Sequence, residues 1–199
     1  TRVKDIKMIN FYTNIGDIID EDVTVKIFDN YEIEEDKRHN MNEVSKAFNY
    51  IKNYASEKNY DSVIIIESDI LVNENSISKL LDSQKNSHVS LFPFETPWAG
   101  YPVVMSDSLV PELVDSRSLK NKNKSGDIPI LGHGTGCMIM NKQVIDDENI
   151  NFDTGTYGKI KGQDVGFFWK LNKYLYKVSM INEELFHAYE YVKSLKNDN

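Results

Sequence analysis

Asp61-Ser62-Val63-Ile64-Ile65-Ile66-Glu67-Ser68-Asp69 is the stretch on which the reading of this chain turns. Ser62 to Ile66 (SVIII) is apolar and β-branched after its first residue, the pattern of a strand buried on both faces, as in a parallel sheet. Two carboxylates come directly after it. Side chains two apart on extended backbone point the same way, so Glu67 and Asp69 are expected to face one point. Like charges crowded at a strand end repel, and a divalent cation with a preference for oxygen ligands, Mg²⁺ or Mn²⁺, relieves that. The plainer alternative is an acidic turn that stops the strand and leads into the next helix.

Outward from this stretch, apolar and helical patterns alternate. Ile6 to Tyr12 (IKMINFY) and Val23 to Phe28 (VTVKIF) read as strands, ending at Thr13-Asn14 and Asp29-Asn30. Met41, Val44, Phe48, Ile51 and Ala55 recur at three- and four-residue steps, an amphipathic helix with Asn40 as its cap. A second helix is expected over Asn75 to Lys85, with Ile77, Leu80 and Leu81 facing inward, then a strand over Val89 to Phe94. Thr96-Pro97-Trp98-Ala99-Gly100-Tyr101-Pro102 is an aromatic, rigid loop. Asp115 to Pro129 is polar with hardly an apolar anchor and reads as a mobile surface loop. Gly132-His133-Gly134-Thr135-Gly136 enters a short buried strand, Cys137 to Met140. Gln163 to Leu175 reads as a helix, Val178 to Ile181 as a last core strand, and Glu184 to Lys196 as a mixed tail. Strands alternating with helices place the chain in the α/β class, where ligands gather at the carboxyl ends of strands.

Composition narrows the function. The 199 residues fit one domain, and 40% hydrophobic with 27% charged residues is ordinary for a globular chain. A net charge of -8 argues against broad binding to nucleic acid or to anionic membrane. It also means that a bound diphosphate needs local neutralisation, for which a divalent cation is the evident means. Cys137 is the only cysteine, which rules out an intrachain disulfide and fits a reducing compartment. His133 and Cys137, four apart among glycines, do not make a zinc site without a second cysteine. No apolar run approaches the roughly 20 residues that span a bilayer, so a soluble, cytoplasmic protein is expected. Neither GxGxxG nor GxxxxGK[ST] occurs.

From Asn42 to about residue 190 the order of these motifs resembles the GT-A glycosyltransferases, especially the inverting GT2-like group. The strand with its acidic triplet is DSVIIIESDILV, where E-S-D stands for the commoner D-x-D. The glycine-rich entry to a short strand is GHGTGCMIMNKQVI, and the aromatic loop is NFDTGTYGKIKG. The E-D pair opening a helix is matched by GQDVGFFWKL, and the late histidine by VSMINEELFHAYE. Gln163 stands where the family has Glu, and Gly166 where a second Asp is common.

The resemblance implies a single GT-A-like α/β domain over residues 1–199, with a mostly parallel sheet flanked by helices. Residues 1–95 would form its nucleotide-binding half and 96–190 its acceptor half. It implies transfer of a sugar from a nucleotide-sugar to an acceptor hydroxyl on a glycan, protein or lipid, with Mn²⁺ or Mg²⁺ as cofactor. Asp69 would hold the metal, with Glu67 nearer the donor ribose or reaching the metal through water, and His187 completing the set. Asp164 would be the general base. Tyr12, Thr13, Asp29 and Arg38 would line the donor. Trp98, Gly134, Thr135 and Gln163 would meet the acceptor or sugar. For His187 a buried structural role is the alternative, for Arg38 a solvated charge, for Asp29 a turn, and for Trp98 packing onto its own domain. A nucleotidyltransferase, or a non-catalytic module that binds nucleotide or carbohydrate on the same fold, are the rival functions.

Overall fold

The computed structural model describes residues 41–67, 70–73, 75–96, 99–106, 112–120, 127–157 and 160–187. The two strands read over residues 6–28 and the cap at Asn40 lie outside them. Among the described residues the chain is a mixed α/β structure with five helices and a seven-stranded, mostly antiparallel sheet.

The first helix, α1, runs Met41–Glu57 and is followed by β1, Ser62–Ile66. A short β2 (Ile70–Leu71) precedes α2 (Ser76–Gln84) and β3 (Val89–Leu91). Next come β4 (Val103–Ser106), β5 (Leu113–Asp115) and α3 (Ser116–Lys120). After β6 (Ile128–Gly132) and β7 (Cys137–Asn141) the chain forms α4 (Lys142–Asp146). A hairpin of β8 (Gly155–Tyr157) and β9 (Ile160–Gly162) enters α5 (Gln163–Lys173), then β10 (Val178–Met180) and β11 (Phe186–His187).

The large sheet has the order β1-β7-β3-β10-β6-β4-β5. Only β3 and β10 pair in parallel; every other ladder in it is antiparallel. This corrects the expected parallel sheet. Two of the antiparallel ladders come from β7, which lies between β1 and β3 and runs against both, with Ile66 opposite Cys137 and Leu91 opposite Met138; the others join β10, β6, β4 and β5 on the far side of the sheet. β1 is also covered less than its apolar run predicts, with Ile65 buried and its other four residues half-buried, whereas β7 is buried from Cys137 to Met140.

Period two along β7 shows how that cover divides. Met138 and Met140 join the cluster of Phe48, Ala55, Phe167 and Phe168 from α1 and α5. Cys137 and Ile139 face the other way, with Ile70, Leu80, Phe92 and Phe94. In α2, Leu80 is buried and Ile77 half-buried, but Leu81 points to solvent, contrary to the inward face expected of it. The polar stretch read as a loop begins as structure: Ser116–Lys120 is helical, and β6 starts at Ile128.

One contact fixes the seat of α5. A Cβ on Gly166 would stand 1.7 Å from the Asp153 carbonyl oxygen, and one on Gly155 would stand 2.4 Å from the Gly166 Cα. Backbone touches backbone there, which accounts for a glycine where the family resemblance led to an acid. Gly166→Ala must push the 153–155 segment and α5 apart and is expected to cost about 1–3 kcal/mol, read as a lower midpoint in urea unfolding.

Candidate functional site

The site is built at the edge where β1 ends. Beyond Ile66 the ladder with the β6–β7 turn continues one step, the Glu67 N–H donating to the Gly136 carbonyl at 2.8 Å. The Glu67 carboxylate is held from the same turn, with the Thr135 hydroxyl donating to its Oε1 at 3.1 Å. Thr135 is itself only 2% exposed, so its hydroxyl serves Glu67 within the fold. The Ile70 N–H then donates to the Glu67 carbonyl at 3.0 Å; Ser68 and Asp69 lie outside the described residues.

β2, which begins at Ile70, brings in a late segment of the chain. It pairs antiparallel with β11, placing Leu71 opposite Phe186 and Ile70 opposite His187. The backbone of His187 is thus in register with the residue next to Asp69; its side chain lies outside the described residues. Two consecutive acids anchor the chain just ahead of β11. Glu183 is ion-paired with Lys79 of α2 and accepts from Asn73 Nδ2 at 3.3 Å. Glu184 takes both arms of Arg117, from Nε at 3.2 Å and from Nη2 at 2.9 Å, and Arg117 also stands 3.8 Å from Glu95. Planar bidentate pairing of this kind constrains direction as well as distance. Pattern alone makes Glu184 the start of a tail, and so misses this clamp. The signal available is two acids placed just ahead of an apolar pair, Leu185-Phe186.

The glycines of the β6–β7 turn are required by one ring. Cβ atoms on Gly134 and Gly136 would come within 2.9 and 2.8 Å of Phe94. The His133 imidazole packs on that ring, with centroids 4.6 Å apart. Its Nε2 accepts from the Phe94 N–H at 3.1 Å, so Nδ1 carries the proton and donates to the Val103 carbonyl at 2.5 Å. Burial drives the imidazole pKa down to about 4, which keeps it neutral. His133 is therefore a strut between β4, the end of β3 and the turn. The neighbouring Cys137 thiol is buried and pushed up to about 12, chiefly by burial and then by the Glu67 charge. Burial thus withholds the thiolate that nucleophilic attack or metal binding requires.

Asp164 sits in the first turn of α5. Lys173 ends that helix a few residues before Val178, at the edge where β10 begins. The carboxylate Oδ1 accepts from the Val165 N–H at 2.8 Å. Gly162 makes room for it, since a Cβ there would stand 2.2 Å from that oxygen. A helix N-terminus normally lowers a carboxyl pKa. Here burial outweighs that and holds Asp164 above the usual carboxylate range, while the hydrogen bonds pull the other way. Gln163 beside it is half-buried.

No protein-family model matches the chain, and no curated protein matches it. Among solved structures, A197 from STIV is similar at 12% identity and a TM-score of 0.45, over 69% of this chain and 63% of that one. GalNAc-T7 with UDP, GalNAc and Mn²⁺ is similar at 12% identity and a TM-score of 0.45, over 72% of this chain and 30% of that one. This chain thus spans less than two-thirds of either. Likeness at that level assigns no activity.

Of the residues singled out from sequence, the structure describes Glu67, Gly134, Thr135, Gln163 and Asp164, and the backbone of His187. Tyr12, Thr13, Asp29, Arg38, Asp69 and Trp98 lie outside the described residues. Among the described residues no three His, Cys, Asp or Glu side chains form a group able to hold a metal ion. Likewise, no described helix is long and apolar enough to cross a membrane.

Proposed function

We propose that this chain is a glycosyltransferase that moves a sugar from a nucleotide-sugar to an acceptor hydroxyl with inversion. The observation that carries the reading is the pairing of β11 on β2, which delivers a histidine from the end of the chain to the strand that comes after Glu67-Ser68-Asp69. A carboxylate at the end of β1 and a desolvated one at the head of α5 complete the set.

Glu67, held by Thr135, is a hard oxygen donor suited to Mn²⁺ or Mg²⁺, and Asp69 and His187 are the groups proposed to bind the ion. When bound, the cation would supply positive charge to the departing nucleoside diphosphate. The chain's own part is at Asp164. Its carboxylate takes the proton of the acceptor hydroxyl as that oxygen forms the new bond to the anomeric carbon, and the bond from that carbon to the phosphate oxygen breaks. A carboxyl raised by burial is a better base than one free in water. Tyr12, Thr13, Asp29 and Arg38 are proposed for the donor, and Trp98, Gly134 and Gln163 for the sugar and acceptor. Thr135 acts through Glu67.

Incubating the protein with nucleotide-sugars labelled in the sugar, with and without Mn²⁺, tests this. The expected products are nucleoside diphosphate and free or transferred sugar, in the presence of the cation. Release of pyrophosphate would replace this reading with nucleotidyl transfer, and no turnover of any donor would leave a binding module.

A further inference from the structure

One stripe of α1 holds a single stretch of chain. Asn49, Lys52 and Ser56 stand at three- and four-residue steps, so they share a face of that helix. The Ser56 hydroxyl donates to Asp146 Oδ1 at 2.9 Å, and the buried Lys52 ammonium to the Asp147 carbonyl at 2.9 Å. Asn49 ends the row on Phe152. Its Oδ1 accepts from the Phe152 N–H at 2.8 Å and, more loosely, its Nδ2 donates to the Phe152 carbonyl at 3.5 Å. A side-chain amide here takes the place of a neighbouring strand.

From Phe152 the chain runs against α5. The Phe152 ring stacks on Phe167 of that helix, with centroids 4.1 Å apart and planes 6° from parallel. Asp153 is paired with Lys170 at 2.6 Å, and its carbonyl leaves no room for a Cβ on Gly166. Gly155 pairs with Gly162 across the β8–β9 hairpin, and the Asp164 carboxylate fills the space a Cβ on Gly162 would need. Residues 152–155 thus bear on both flanks of Asp164. Stacked rings resist separation but let one slide over the other. The bonds to Asn49 have direction, and they fix how far along α1 this stretch sits. Among the described residues of the stretch, the hairpin and α5, the other charged side chains are Asp153 with its partner Lys170, the exposed Lys161, and Lys173 at the far end of the helix.

We propose that Asn49 is a positioning residue for Asp164, setting through residues 152–155 where that carboxylate stands at the head of α5. The inference rests on the transferase reading for what the position does, and on geometry alone for the position itself. Without the amide the stretch shifts along α1, the Asp153 carbonyl no longer abuts Gly166, and the head of α5 opens to water. The carboxylate then leaves its place against the acceptor hydroxyl, while donor binding, which lies with other residues, is spared.

Three variants test this. Asn49→Ala suits a helix and leaves room for water at the Phe152 backbone. Asn49→Asp keeps the acceptor for the Phe152 N–H, and Ser56→Ala loosens the same stretch at its other end. The readouts are titration of the Asp164 carboxyl, followed by carbon NMR and assigned with Asp164→Asn, and the kcat and KM of sugar transfer. Burial holds that carboxyl above the usual range, so exposure lowers its midpoint. Asn49→Ala is expected to titrate nearer an exposed carboxylate and to lose about tenfold in kcat, with the donor KM unchanged. Asn49→Asp and Ser56→Ala should match the parent in both. An Asp164 titration unchanged in Asn49→Ala overturns the proposal even where the melting temperature falls, and so does an equal shift in Ser56→Ala. A shifted titration with kcat unchanged, or a parent that transfers no sugar, would keep Asn49 as the residue that places the carboxyl and remove Asp164 from the role of base. Should alanine abolish folding, Asn49→Ser makes the same comparison.

Discussion

Asp164→Asn is expected to lower sugar transfer by about 10²–10⁴-fold while leaving the protein at least as stable as the parent. Both halves come from one cause. The carboxyl is held above its ordinary pKa mainly by burial, so the folded chain holds this proton more tightly than the unfolded chain does. As pH rises through the ordinary carboxylate range, the unfolded chain releases this proton first. Stability contributed by the neutral group is then lost, until the folded group ionises as well. Asparagine keeps the oxygen that accepts from the Val165 N–H and has no charge to desolvate. Melting temperatures of parent and variant should therefore draw level in acid and separate toward neutral pH, the variant standing higher. A variant that turns over donor and acceptor as fast as the parent would remove Asp164 from the role of base. The stability comparison would still report on its burial.

The second large effect belongs to His133. Its pKa is lowered from 6.5 to about 4, so between those values the unfolded chain binds a proton that the folded chain refuses. Stability is full above pH 6.5 and falls as the solution is acidified toward 4, by an amount on the order of 3 kcal/mol. His133→Phe should flatten that part of the profile. It should also weaken the protein at neutral pH by about 2–4 kcal/mol, since the buried Phe94 N–H and Val103 carbonyl each lose a partner. Urea unfolding of both proteins across this pH range measures the two consequences together. A parallel pair of profiles would mean that another group governs the acid limb.

Local pattern carries the elements well and their arrangement poorly. The three- and four-residue spacing from Met41 to Ala55 marks α1, and the apolar run before Glu67 marks β1, because burial periodicity is written into adjacent residues. Strand direction is not. Whether β7 runs with or against β1 depends on the route taken by residues 103–136, which no window around Cys137–Asn141 contains. The role of Thr135 is hidden for a like reason, since its partner Glu67 is 68 positions away. Gly166 looks like a lost acid because only the packed structure brings the Asp153 carbonyl against it. Glu67 and Asp164 are legible as chemistry, a carboxylate after an apolar strand and one opening a helix. The clamp of Arg117 on Glu184 is not, because a surface arginine in a polar run looks like any other until its partner is in place.

The lone thiol at Cys137 has a practical side. It is sealed between β1 and β3 with its ionisation suppressed, so an alkylating reagent has nothing to attack while the sheet is closed. Modification can then proceed only as fast as those strands part. A single mass increment per molecule becomes a clock for the opening of the central sheet, without any engineered probe.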